Sequence, residues 1–216
     1  MSFELYVFDL DGTLVDSRRD LAESANELLR EHGAAPLREE DIGRMVGDGA
    51  AVLVARVFAA SGLAQPPDAL ARFLAIYDTR LLNHTRPYRG IRETLEALHA
   101  RARLGVLTNK PMASTRRVLS GLQLVDYFDA AFVIGGDGPF PRKPDPSGLR
   151  HLSATAATTT AMTILIGDSM IDWRTARSAG TAVCLARYGF GFEGVPRDAL
   201  GPDDCVIDDP IALLTM

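Results

Sequence analysis

Lysine is nearly missing from this chain: 21 arginines carry most of its positive charge, and only two lysines, Lys110 and Lys143, occur in 216 residues. Where arginine solvates the surface, each lysine calls for a reason, the bland one being an incidental surface position. Cysteine is as scarce. Cys184 sits inside the apolar run AVCLA and Cys205 near the C-terminus, with no Cys-x-x-Cys pair, which excludes a dithiol redox or zinc-ribbon site and points to a reducing compartment. A formal net charge of -5 and a pI near 5.4 argue against partners made of nucleic acid or anionic membrane, which need a strong basic patch.

Long apolar runs are missing too. AAVLVARVFAASGL is broken by Arg56 and too short to span a bilayer. The opening MSFELYVFDLDGT has no basic region, and its apolar stretch ends in carboxylates, unlike a secretory signal. With 47% hydrophobic and 24% charged residues, disordered and fibrous classes are excluded. The chain is long enough for a full core and a smaller accessory unit. The expectation is a soluble cytoplasmic protein, monomer or homodimer, whose partner is a small molecule.

What is present is a series of short, nearly continuous apolar runs: FELYVF (3–8), RLGVLT (103–108), AAFVIG (130–135), TILIGD (163–168) and TAVCLA (181–186). Runs without alternation suit parallel strands buried on both faces. Helical patterns separate them at 91–102, 112–122, 146–154 and 170–180, with the Ala/Thr-rich SATAATTTAM (153–162) read as a small-residue connection. This order predicts an α/β fold with an open, Rossmann-like parallel sheet. The rhythm breaks once, between the strand at 3–8 and the strand at 103–108. A structureless loop of that length is implausible, and the segment carries helical patterns at 21–33, 39–47, 50–62 and 69–82. It reads as an inserted helical cap over 16–85, with the core formed by 1–15 and 86–216. Asp16-Ser17 marks one exit, Arg86-Pro87-Tyr88-Arg89-Gly90 the other.

Ligands of such sheets sit at the carboxyl ends of the strands. There the first strand delivers Asp9-Leu10-Asp11-Gly12-Thr13, two carboxylates that repel each other unless a cation lies near. A divalent metal fits, although Asp-x-Asp-Gly also occurs in turns and calcium loops. The second strand ends in Thr108-Asn109-Lys110, groups suited to a phosphoryl oxygen and also ordinary turn chemistry. Prolines flank Lys143 in Pro141-Arg142-Lys143-Pro144 and restrict its backbone. The fourth strand ends in Asp168-Ser169 with Asp172 beyond, which is equally a helix cap with an acid in its first turn. Each bland reading stands alone; together they fail, because every strand end on one edge carries metal- or phosphate-binding groups and both lysines lie there.

The segments VFDLDGTLVDS, LTNK, GGDGPFPRKPDP and IGDSMIDWRTARSAG resemble, in order and spacing, the four motifs of the haloacid dehalogenase-like hydrolase superfamily. VGDGAAVLV, RPYRG and GGDGPFPRKPDP are similar to bacterial phosphoglycolate phosphatases. The resemblance implies a magnesium-dependent phosphatase in which Asp9 forms an aspartyl-phosphate and Asp11 exchanges protons with the leaving oxygen and with water. It implies Mg²⁺ at Asp9, Asp11 (through its backbone carbonyl) and Asp168, phosphate contacts from Thr108, Asn109 and Lys143, and Asp172 orienting Lys143 or a metal-bound water. Lys143 would neutralise the transferring group.

The cap is expected to set specificity. Gly47-Asp48-Gly49 precedes a helical pattern, so amides there face an anion or simply make a turn. Arg18 and Arg44 are cations nearby, with Asp48 opposing them. Phosphoglycolate, other sugar or amino-sugar phosphates and pyrophosphate remain open as substrates. A mutase of this family is similar in carrying a cap histidine where Leu21 stands here, and that departure disfavours it. A non-enzymatic phospho-ligand regulator would lack the nucleophile or metal ligands, all of which are present. Trp173 after Asp172 is read as packing.

Overall fold

The computed structural model describes residues 3–192 and 200–216. Six strands form one parallel sheet in the order β5-β4-β1-β6-β7-β8. They are β1 (Leu5–Phe8), β4 (Arg103–Leu107), β5 (Val133–Ile134), β6 (Thr163–Gly167), β7 (Ala182–Ala186) and β8 (Cys205–Ile207). β1 is central, with β4 on one side and β6 on the other. From β1 the chain builds outward through β4 and β5, then crosses back to β6. The crevice where a parallel sheet reverses direction therefore opens at the end of β1.

Alternate residues of β1 feed two cores. Tyr6 and Phe8 join Val106, Ile166 and Cys184 on one face, while Leu5 and Val7 join Leu165, Val183 and Leu185 on the other. Both faces are covered, which is why all four residues of β1 are buried and its sequence shows no polar alternation. Helices α7 (Ser147–Thr155) and α8 (Met170–Ala179) cover the second face through Leu149, Leu152, Ala176 and Ala179. Helices α5 (Ile91–His99) and α6 (Met112–Gly121) cover the first through Leu95, Leu98, Val118 and Leu119. Trp173 packs beside the second core.

Four further helices lie between two-residue strands β2 (Val15–Asp16) and β3 (Arg86–Pro87), which pair antiparallel. They are α1 (Arg18–Glu31), α2 (Glu39–Gly43), α3 (Ala50–Ala60) and α4 (Ala69–Arg80). In α1, Leu21, Ala25, Leu28 and Leu29 recur at helical spacing and are buried. They share one continuous core with Phe58, Phe73 and Tyr77, and that core runs on to the sheet.

Local details differ from the sequence reading. The stretch 130–135 is mostly not strand: the Asp129 side chain accepts from the Ala131 amide at 3.0 Å and caps a 3₁₀ turn at Ala130–Phe132, leaving two residues for β5. Ser153–Thr155 complete α7 rather than beginning the connection. The pattern at 39–47 yields only one helical turn, because beyond it the chain passes through Gly47 and Gly49 at positive φ. β8 was not anticipated; three residues among aspartates and prolines carry too little pattern. Among the described residues no helix is long and apolar enough to cross a membrane.

One buried carboxylate ties the helical insertion to its return strand. Asp20 of α1, fully buried, accepts from the amides of His84 (3.0 Å) and Thr85 (2.8 Å) and from the Thr85 hydroxyl (2.7 Å). Replacing Asp20 by Ala strands three donors, so Asp20→Ala is expected to lower stability by about 3 kcal/mol in urea unfolding. A loss within about 0.5 kcal/mol would show that water reaches these donors.

Candidate active site

The strand register brings the site together. Phe8 pairs with Val106 and with Ile166, so Asp9, Thr108 and Asp168 leave their strands within one residue of the same level. All three are buried. Lys143 enters from the loop after β5, with Nζ 2.9 Å from Asp9 Oδ1 and 2.5 Å from Asp172 Oδ1. The other Asp172 oxygen accepts from the Ser169 amide (3.1 Å) and hydroxyl (2.6 Å). Asp172 thus completes the capping box of α8 and grips Lys143 at once, so the structural and functional readings of that residue coincide.

Asp168 accepts from the Gly191 amide at 2.7 Å and the Thr13 hydroxyl at 3.3 Å. Gly12 allows this closeness: its φ is +87°, and a Cβ there would overlap the Asp168 carboxylate. A Cβ on Gly167 would likewise collide with Asp172.

Charge balance defines what the site lacks. Asp9, Asp168 and Asp172 each present an oxygen within 4.8 Å of the others, all buried. Lys143 is the ammonium among them. Burial, then the charges of Asp172 and Asp11, push the Asp9 carboxyl up to about 7 against the pull of Lys143. Burial, then Asp172 and Asp9, hold Asp168 well above the usual carboxylate range. Burial opposes the charged form of Lys143, but Asp172 and Asp9 outweigh it and its pKa is raised. One ammonium among three buried carboxylates leaves anionic charge uncompensated, and an all-oxygen donor set suits a hard divalent cation.

Asp11 stands apart from this group. Its carboxylate accepts from the Ser17 hydroxyl (2.6 Å) and from Lys110 Nζ (3.0 and 3.1 Å). Lys110 also donates to the Tyr77 hydroxyl of α4 at 2.6 Å. Lys110 and Tyr77 were not among the expected site residues. The rarity of lysine already singled out Lys110, but Tyr77 reads in sequence as one more buried position beside Phe73 and Ile76.

Thr108 lines the cavity above Asp9, and its hydroxyl accepts from the Lys110 amide at 3.2 Å. Asn109 is placed there too, yet its side-chain nitrogen donates to the carbonyls of Gly47 and Lys143, both at 2.9 Å. That amide clips the insertion and the Lys143 loop to β4. Gly47 and Gly49 line the same cavity, facing Leu21, Leu53 and Phe73. Arg18 and Arg44 do not line it. Arg18 pairs with Asp16 and Glu39 at 3.3 and 3.2 Å. Arg44 pairs with Asp41 at 3.2 Å and borders a neighbouring cleft with Arg56 and Arg174. Asp48 is matched by Arg56 at 2.7 Å.

The chain that carries this edge is similar, over most of its length, to known proteins. The profile described as haloacid dehalogenase-like hydrolase matches residues 6–186. A phosphoglycolate phosphatase of Rhodospirillum rubrum is 44% identical over 198 residues, 88% of this chain and 81% of that one. One from Cereibacter sphaeroides is 40% identical over 191 residues, 85% of each. The crystal structure of a predicted phosphoglycolate phosphatase from Haemophilus somnus superposes with a TM-score of 0.89 at 31% identity, covering 100% of this chain and 98% of that one. The chain belongs to the haloacid dehalogenase-like hydrolases. Within them it is a phosphatase, of the phosphoglycolate phosphatase-like kind.

Because oxygen ligands must be deprotonated to hold a metal, ion affinity follows the raised carboxyls of the site. Affinity of the chelator-treated protein for a divalent cation is expected to strengthen as pH rises through about 7, where Asp9 loses its proton. Titration calorimetry at pH 5.5, 7 and 8.5 measures this; a flat profile would mean that Asp9 is not a ligand.

Proposed function

We propose that this phosphatase hydrolyses a small phosphomonoester, 2-phosphoglycolate to glycolate and phosphate being the best candidate, through an aspartyl-phosphate on Asp9. The observation that carries this is the buried Lys143 ammonium 2.9 Å from Asp9, whose side chain lines the cavity between the core and the helical insertion. A carboxylate so placed is a nucleophile with its counter-charge already in position. The relatives named for phosphoglycolate support that choice of substrate.

In this reading residues 16–85 are a cap over the core, and Mg²⁺ is held by Asp9, Asp168 and the Asp11 backbone carbonyl, with Asp172 behind them. When bound it supplies positive charge to the phosphoryl oxygens and lets an anionic nucleophile approach an anionic ester. Asp9 attacks phosphorus as the ester oxygen departs, and Asp11 gives that oxygen its proton. Water then attacks phosphorus of the acyl phosphate, losing a proton to Asp11, and Asp9 and phosphate are released. Lys143 and the Thr108 hydroxyl contact the transferring group, while Asn109 keeps the Lys143 loop in place. Leu21 offers only carbon to the cavity, so no group there serves the proton relay of a mutase.

Asp9→Asn is expected to lower turnover by about 10⁴-fold with the circular dichroism spectrum unchanged. Since burial dominates the Asp9 shift, the metal-free variant should melt no lower than the metal-free wild type. Phosphate release from 2-phosphoglycolate, a sugar phosphate, a nucleotide and pyrophosphate, with Mg²⁺ and with EDTA, tests the substrate. Equal Mg²⁺-dependent rates across the panel would remove phosphoglycolate as the preferred ester, and activity surviving in Asp9→Asn would remove the mechanism.

A further inference from the structure

The wall of the cavity above Asp9 is mostly apolar, from Leu21, Val46, Leu53, Phe73 and Leu74, with the neutral Thr108, Asn109 and Ser114 at the end of β4 and the start of α6. Lys110 is the one basic side chain among the described residues that line it. Its ammonium is buried and held by the two oxygens of Asp11 and by Tyr77, whose ring centroid lies 4.5 Å away. The bond to Lys110 uses Tyr77 as the acceptor, so the hydroxyl keeps its own hydrogen to give. Burial pushes the Tyr77 hydroxyl up to about 12, and it stays protonated. An ammonium and a hydroxyl, one from the core and one from α4, thus converge on the cavity beside the nucleophile. Arg142, close to Gly49, donates to the Gly136 carbonyl.

We propose that Lys110 and Tyr77 form the subsite for a carboxylate carried by the leaving group, making the enzyme selective for phosphorylated short hydroxy acids. This rests on the phosphatase reading above and adds what reads the organic half of the substrate. In the structure Asp11 occupies the ammonium. A substrate carboxylate takes its place, accepts from Lys110 Nζ and from the Tyr77 hydroxyl, and leaves the Asp11 side chain to turn toward the ester oxygen. A neutral group of the same size gains neither bond, and against a mostly apolar wall an anion without them would bear its desolvation uncompensated. The subsite therefore works by both attraction and exclusion.

The test compares two non-hydrolysable ligands of equal length, 3-phosphonopropionate and propylphosphonate, binding to the Mg²⁺-loaded protein by titration calorimetry. Wild type is expected to bind the carboxylate about 100-fold more tightly. Lys110→Met should bring that ratio close to one. Tyr77→Phe, which keeps the Lys110–Asp11 pair and the ring packing, should reduce it about tenfold with its melting temperature retained. A wild-type ratio near one, or a ratio unchanged in both variants, overturns the proposal. Phosphate release from 2-phosphoglycolate and from ethyl phosphate separates it from the reading beneath it. Equal rates on both esters would sink the subsite and leave the phosphatase standing, whereas no release from either, with neither phosphonate bound, would sink both.

Discussion

Burying three carboxylates, with a fourth half-buried beside them, at one edge of a sheet is tolerable only because two ammonium groups are buried with them. Unpaired, each anion would have to give up its charge or its burial. Lys143 answers Asp9 and Asp172, and Lys110 answers Asp11. Much of the local backbone follows from keeping these groups close. Gly12 and Gly167 lack side chains because Asp168 and Asp172 occupy the space, and Asn109 pins the carbonyl of Lys143 itself. Where the compensation stays incomplete, between Asp9 and Asp168, the remaining negative charge is what draws a cation in.

Most of the core was legible because its signals are local. Parallel strands covered on both faces must be continuously apolar, and a strand end carrying Asp, Thr or Lys is conspicuous against that background. The strands as read overshoot by a residue or two at their ends, as at 103–108 against Arg103–Leu107, where the polar Thr108 after the last apolar residue has already left the strand. β5 and β8 are short edge strands: β5 keeps two residues of the run read over 130–135, and β8 carries too little pattern to be read.

The site residues that sequence could not reach are those made by apposition of distant segments. Nothing in ALARFLAIYDTRLL distinguishes Tyr77 from its buried neighbours; its meaning comes from Lys110, 33 positions away. Arg18 and Arg44 show the opposite case, lying outside the lining of the cavity and paired with acids. Their proximity along the chain to the glycine turn suggested an anion partner, but each has an aspartate nearer still. Cations count toward a site only after local acids have taken their share.

The near-absence of lysine has one more consequence. Among the described residues every permanently charged basic side chain on the exterior is a guanidinium, and the two primary amines carried by side chains are both buried, against Asp9 and Asp11. Acylation of amines, which in most proteins decorates the surface at many points, here has only two side-chain targets, and reaching either removes an ammonium that offsets buried carboxylates. With both lysines buried, acylation of either reports how often their surroundings open to the reagent.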